Sequence, residues 1–208
     1  MSEERYFDDA ELKALGQRTL DLLISSIDKG DRATAGKLAQ RMYNEFLGMH
    51  DLYRDWVTHL LTFIGERFGD EVLAEALQET VEGYTRRLTK RYAGKSARQR
   101  IEMLLAGFRG HLHPFDVQED DDTFVITPRP CGSGERLIQE GAYDPPRKLL
   151  RIQKAQAMTF NQADFPVYCA HCYFQNHVPR EPGDAPLFVT EPSPQLGEKP
   201  CRILIHKE

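Results

Sequence analysis

Apolar residues recur at helical spacing through the first half of the chain. Over 8–28 they are Leu12, Leu15, Leu22, Leu23, Ile24 and Ile27, a spacing that Gly16 weakens early on. Lys29-Gly30-Asp31 supplies a helix stop and a new N-cap. A second helix carries Ala35, Leu38, Ala39, Met42, Tyr43 and Phe46 and is expected to break or bend near Gly48. In the third, Leu52, Trp56, His59, Leu60, Phe63 and Ile64 share one face, which predicts a buried stripe. Gly69-Asp70 repeats the stop-and-start signal. Val72, Leu73, Ala76, Leu77, Val81, Tyr84 and Leu88 then form a fourth helix, expected to end near Gly94. Ser96 caps a fifth, with Ile101, Leu104, Leu105 and Phe108 inward and Gly110 and Pro114 closing it. Five amphipathic helices on short connections predict an antiparallel bundle.

From Pro114 the pattern changes from a period near four to a period of two. Phe115-Asp116-Val117 and Phe124-Val125-Ile126-Thr127 flank the acidic run 119–122, a hairpin signature. Residues 128–148 are rich in Gly and Pro, with 136–138 as a short ordered piece. Segment 149–160 reads equally as strand or helix. Leu187–Thr190 and Arg202–His206 are further strand candidates. The expected fold class is α+β. An N-terminal antiparallel helical bundle, 1–113, packs on a small Cys-containing α+β unit with an antiparallel sheet, 114–208.

The totals narrow the function classes. A chain of 208 residues, 40% hydrophobic and 28% charged, has the composition of an ordinary globular protein. The formal net charge of −5 argues against a dedicated nucleic-acid binder. No apolar run approaches the roughly 20 residues of a membrane span, so no membrane partner is expected. The acidic opening MSEERYFDDAEL is unlike an export signal, which leads to the expectation of a cytoplasmic, reducing setting. There, cysteines serve as ligands, nucleophiles or core residues more often than as disulfides.

The chemistry-bearing residues concentrate in the second half. FPVYCAHCYFQNHV, 165–178, holds two of the four cysteines as Cys169-x-x-Cys172, with His171 and His177. Such a turn converges two thiolates, as tetrahedral zinc requires. Cys131 in the Gly-rich turn RPCGSGERL, His177 or Cys201 would complete the set, giving Cys131, Cys169, Cys172 and His177 as metal candidates, with Cys201 as an alternative to His177. The plain alternative is four small buried hydrophobes. A redox pair is a third reading, weakened by the absence of a βαβ context.

Cys131 at the end of a strand is also a candidate nucleophile, with Arg129, Arg136 or a histidine to stabilise its thiolate. Glu135 and His113 are candidate proton carriers, and His111-x-His113 sits at the expected seam between the two halves. Glu191 and Glu198 are further carboxylates near Cys201. His59, on the apolar stripe with Trp56, reads as a core histidine or a pocket wall. Residues 85–100 carry seven Lys or Arg and no acid, which reads as a solvated face before it reads as an anion site.

Three stretches carry a resemblance: HDLYRDWVTHLLTFIGERFGDEVLAEAL, VITPRPCGSGERL and TEPSPQLGEKPCRILI. Together they resemble the L-2-amino-thiazoline-4-carboxylic acid hydrolase-like family. The resemblance implies an N-terminal helical part, a C-terminal α+β part with cysteines facing a small-molecule pocket, and hydrolytic opening of a C–N or C–S bond in a small polar ring. Cys169-Ala170-His171-Cys172 departs from that family's pattern. The expectation is therefore an enzyme on a small-molecule substrate, a hydrolase or lyase, using a cysteine-liganded metal (zinc) or a Cys nucleophile. The alternative is a ligand-binding or interaction module with a structural zinc site and no catalysis. Oligomeric state is left open by the sequence.

Overall fold

Local capping chemistry sets several of the helix starts in this computed structural model, which describes residues 6–111, 113–179 and 184–207. The chain divides into two compact units, Met1–Leu52 and Tyr53–Glu208. In the first unit, Asp8 and Glu11 form a reciprocal capping box that starts α1 (Asp9–Leu15), with both bonds at 2.8 Å. Gly16 ends α1, so the single periodic stretch expected over 8–28 is two helices. The second is α2 (Thr19–Asp28). Gly30 takes a φ of 72°, and Asp31 accepts from the Thr34 amide at 3.1 Å to start α3 (Arg32–Thr89). Thr19 donates to Glu45 at 2.9 Å, tying the start of α2 to α3 in an antiparallel hairpin.

The expected break near Gly48 does not occur, because α3 runs through it. A glycine inside a helix only lowers its stability by about 1 kcal/mol, and flanking propensity overrides that. The helix does break at Gly69, where the sequence places a stop, with φ 83° and ψ 178°, a conformation open to glycine and strained for other residues. Asp70, just after it, accepts from the Gln156 side chain at 2.6 Å. The helix ends at Thr89, a turn earlier than expected.

The second unit contains the rest of α3 and the sheet. The expected stripe faces the wrong way: Trp56 is 59% and Phe63 58% exposed, and His59 and Leu60 are also open. The buried face of this segment holds Arg54, Thr58, Leu61 and Thr62. The reason is polar docking. Arg54 is almost wholly buried and bonds Glu140 at 2.6 Å and Asp55 at 3.1 Å. Thr58 bonds the Arg54 carbonyl at 2.6 Å, and Thr62 accepts from the Leu150 amide at 3.1 Å. Two of these bonds, Arg54 to Glu140 and Leu150 to Thr62, tie the helix to the rest of the unit, and Leu61 and Ile64 pack on the apolar core beside them.

Ser96 and Gln99 cap α4 (Ala97–Arg109), as the sequence predicts. Strands β1 (Phe115–Glu119) and β2 (Thr123–Pro128) form the expected hairpin, with Val117 opposite Ile126. Asp120 closes its turn by accepting from the Thr123 amide at 2.7 Å. Then come α5 (Gly134–Gln139), β3 (Arg151–Ile152), β4 (Phe165–Pro166), α6 (His171–Gln175), β5 (Val189–Glu191) and β6 (Arg202–His206). The antiparallel sheet has the order β1-β2-β6-β5, and β3 pairs with β4 separately. The architecture is α+β, with a helical part and a sheet part. Residue 113, where the seam was expected, lies inside the second unit.

Two apolar clusters hold that unit. One joins Leu73 and Leu77 of α3 to Leu137, Ile152, Phe165 and Val167. The other joins Ile101 and Leu104 of α4 to Ile126, Ile203 and Ile205 of the sheet. No described helix is long and apolar enough to cross a membrane.

The Arg54 network gives a stability test. Glu140 also pairs with Arg136 at 3.0 Å, and Arg147 pairs with Asp55 at 2.9 Å. Glu140→Ala removes one carboxylate from the buried guanidinium, which keeps its contact with Asp55. Breaking a buried pair costs up to 3–5 kcal/mol, and the partial exposure of Glu140 reduces this to about 2 kcal/mol. Thermal unfolding is expected to drop by roughly 4–8 °C. A shift below about 1 °C would remove the network from the account of why α3 docks polar face inward.

Candidate thiol-lined active site

The site grows from the turn between β2 and α5. Burial of Glu135 places its carboxylate under the turn, where it accepts from the Cys131 amide at 2.8 Å. Its other oxygen lies 3.4 Å from the Gln139 side-chain nitrogen. The two glycines are there for space. A Cβ on Gly132 would stand 2.9 Å from the His113 ring and 3.1 Å from the His111 Cβ. A Cβ on Gly134 would stand 2.6 Å from the Cys169 sulfur. The motif PCGSG is thus the shape needed to lay a backbone turn against two histidines on one side and a thiol on the other.

The Cys-x-x-Cys stretch turns through a 3-10 segment, Val167–Ala170, into α6. That path brings both thiols to the same side. His171 Nδ1 lies 2.5 Å from the Tyr168 carbonyl oxygen, so Nδ1 carries the proton and donates. Nε2 is then the acceptor, and it lies 3.6 Å from the Cys172 sulfur. The Asn176 side chain clamps the end of α6 to β5. It donates to the Thr190 carbonyl at 2.8 Å and accepts from the Thr190 amide at 2.7 Å. Thr190 also bonds the Cys172 thiol through its side chain.

These elements enclose a cavity of about 330 Å³. Cys131, Cys169, Cys172 and Cys201 all line it, with His111, His113, His171, Glu135 and Tyr168. Its apolar walls come from Leu104, Phe108, Phe115, Ile126, Phe188 and Ile203. That size and lining suit a small, largely apolar molecule held by a few polar groups.

The electrostatics are those of neutral thiols. Burial pushes Cys172 up to about 12, against the pull of its Thr190 bond. Cys201 rises to about 12, first from burial and then from Cys131, Cys172 and Glu135, while the Ser193 amide opposes. Burial also raises Cys131, although amides of Ser133, Gly134 and Glu135 hydrogen-bond it and pull the other way. Cys169 lies well above the ordinary thiol value, from burial and then from the other three cysteines. Burial lowers His171. Tyr168 is pushed up to about 12 by burial, opposed by its Ser133 bond. All four cysteines are free thiols.

Of the residues singled out from the sequence, Cys131, Glu135, His113, Cys169 and Cys172 meet in one cavity, and Cys201 joins them. His177 does not line it. Its Nδ1 bonds the Tyr173 carbonyl at 2.6 Å and its ring stacks on Tyr173 at 4.3 Å. His59 is exposed, and neither it nor Trp56 lines the cavity; Glu191 pairs with Arg202 at 3.2 Å instead. In the basic run, Arg98 pairs with Glu102 at 3.0 Å and Arg100 bonds the Lys95 carbonyl at 3.0 Å, as on a solvated face. Among the described residues no group of three or more His, Cys, Asp or Glu is arranged to hold a metal ion. Sequence reasoning missed Tyr168, which orients His171, and Thr190 and Asn176, which fix Cys172. Only the adjacency of His171 and Cys172 hinted at the pair.

No family model, curated protein or solved structure matches the chain.

The close approach at Gly134 is directly testable. Gly134→Ala forces the Cys169 thiol to move and is expected to destabilise by about 1–3 kcal/mol, as overpacking does. Gly83→Ala is the matched control, since nothing lies within 4 Å of a Cβ there. That variant should gain about 0.5–1 kcal/mol from helix propensity. Urea unfolding of both variants checks the contrast; equal effects at the two positions would remove the steric role of Gly134.

Proposed function

We propose that this chain is an enzyme whose cavity thiol attacks a small molecule, a hydrolase or lyase that opens a C–N or C–S bond. The observation that carries this is the Cys172–His171 pair, 3.6 Å apart and facing the cavity. A thiol beside a base that is itself oriented by a third group is the arrangement of an activated nucleophile. Here the third group is the Tyr168 carbonyl, which holds His171 in the tautomer with a free Nε2.

The raised thiol and lowered imidazole favour one mode. Both partners are neutral at pH 7, so the pair is a thiol with a general base and not a preformed ion pair. As the Cys172 sulfur bonds the electrophilic carbon, its proton passes to His171 Nε2. His171 then returns that proton to the departing nitrogen or sulfur as the C–N or C–S bond breaks. Water releases the S-bound fragment in a second, base-assisted attack. Glu135 already accepts the Cys131 amide, so its first task is to shape the turn. Cys131 and His113 form other parts of the cavity lining. The resemblance noted in the sequence supports the same reaction class.

A substrate-free experiment tests the pair. The rate of Cys172 alkylation by iodoacetamide, followed by peptide mass mapping, reads its activation. With His171 as base, the rate should level off once His171 is neutral, which lies below its ordinary value of 6.5. The plateau should last about two pH units above 7, until direct ionisation of the thiol overtakes it. In His171→Ala the rate at pH 7 should fall by ~10²-fold and then climb about tenfold per pH unit. A wild-type rate that climbs the same way would show that His171 does not activate the thiol.

A second reading has one observation in its favour: Cys131, Cys172 and Cys201 raise Cys169, and Cys131 and Cys172 raise Cys201, a repulsion between thiolates that a cation would relieve. In that reading zinc staples the cavity wall and the chain is a ligand-binding or interaction module without catalysis. Metal content of purified protein separates the two. The nucleophile reading expects no stoichiometric metal, and a Cys169→Ser variant that folds. One zinc per chain, with unfolding on chelation and in Cys169→Ser, would favour the staple.

A further inference from the structure

The first unit is short of something to cover it. Among its described residues only Thr19 and Ser26 are buried, and both are polar. No hydrophobic side chain between residues 6 and 52 reaches the buried class. Yet the unit is an ordered helical hairpin, with α2 tied to α3 through Thr19 and Glu45. Isolated helices of about 10 residues are marginal in water and draw their stability from a packed apolar face.

The apolar faces are present and open. Leu20, Ile24 and Ile27 follow one side of α2 at intervals of four and three, and are 45%, 49% and 60% exposed. Met42, Phe46 and Met49 do the same on α3, at 39%, 39% and 49%. A two-helix ribbon has no interior in which to place both rows. Stacking it on a second ribbon does, and the product is a four-helix bundle.

We infer that the first unit is a dimerisation module, and that its occupant is the same hairpin of a second copy of this chain. Two features favour that partner. The first is area. At about 180 Å² per side chain these six residues leave roughly 500 Å² of apolar surface open, and Phe7, Leu12, Leu15 and Leu52 add roughly 400 Å² elsewhere on the unit. A stable dimer buries about 800 Å² on each partner. The second is charge. Between residues 18 and 45 the hairpin carries Arg18, Lys29, Arg32, Lys37 and Arg41 against Asp21, Asp28, Asp31 and Glu45. This near-neutral, mixed rim suits a self-complementary two-fold contact. It does not suit an anionic membrane or nucleic acid, which select a basic face.

Sedimentation equilibrium of the full chain across 0.1–100 µM (~10³-fold in concentration) tests the inference. The expected result is a monomer–dimer equilibrium or a constant dimer. Ile27→Glu should weaken the dimer by ~30-fold or more, as a lost interface anchor does. Ile27 is already 60% exposed, so helicity by circular dichroism should be retained. Should that variant lose its helicity, the wild type decides: a urea midpoint for the first unit that rises with protein concentration supports dimer-coupled folding. A wild type that stays monomeric at the highest concentration overturns the inference, whether or not it sediments with phosphatidylserine vesicles. So does a dimer that Ile27→Glu and Phe46→Glu both leave intact.

Discussion

A contact with no room for one methyl group organises the thiol cavity. Gly134 lies so close to the Cys169 sulfur that the turn after β2 and the start of α6 form a single surface. From this follow the position of Cys131 on one side and of the Cys172–His171 pair on the other. Asn176 supplies the complementary restraint, because its amide bonds both backbone groups of Thr190. Steric fit at one end of the Cys-x-x-Cys stretch and hydrogen bonding at the other leave its thiols little freedom.

Where local chemistry decides structure, the sequence was a good guide. Ser96 with Gln99, Asp120 before Thr123 and Gly30 before Asp31 each act within four residues, and each does what its residue type suggests. The pattern misled where a long-range polar contact competed with it. Trp56, Leu60 and Phe63 make a convincing core stripe on a helical wheel. Arg54 reaches Glu140, 86 positions away in sequence, on the face that goes inward with Thr58, Leu61 and Thr62. Periodicity finds the faces of a helix; which of them is buried depends on partners that one helix does not reveal.

The site divides along the same line. Four cysteines, a Gly-rich turn and paired histidines were visible as chemistry-bearing residues. Their meeting in one cavity was not, because Cys131, Cys169 and Cys201 lie on separate elements joined only by tertiary packing. His177 sits in the same short stretch as the thiols, and one further turn of chain carries it away onto Tyr173. His171, two positions after Cys169, faces inward. On a short helix two histidines six residues apart diverge, and spacing alone does not choose between them.

Four thiols in one low-dielectric space impose a limit on their own chemistry. Ionising one cysteine raises the cost of ionising the next, since Cys131, Cys172 and Cys201 each push Cys169 upward. A second thiolate in the cavity is therefore costlier than the first. A neutral thiol is a small hydrophobe, so in the proposed reaction the other three serve as apolar wall. The base must then belong to the reacting thiol, and His171 is hydrogen-bonded to Cys172. In the proposed reaction the imidazole of His171 beside Cys172 marks that thiol as the nucleophile among the four.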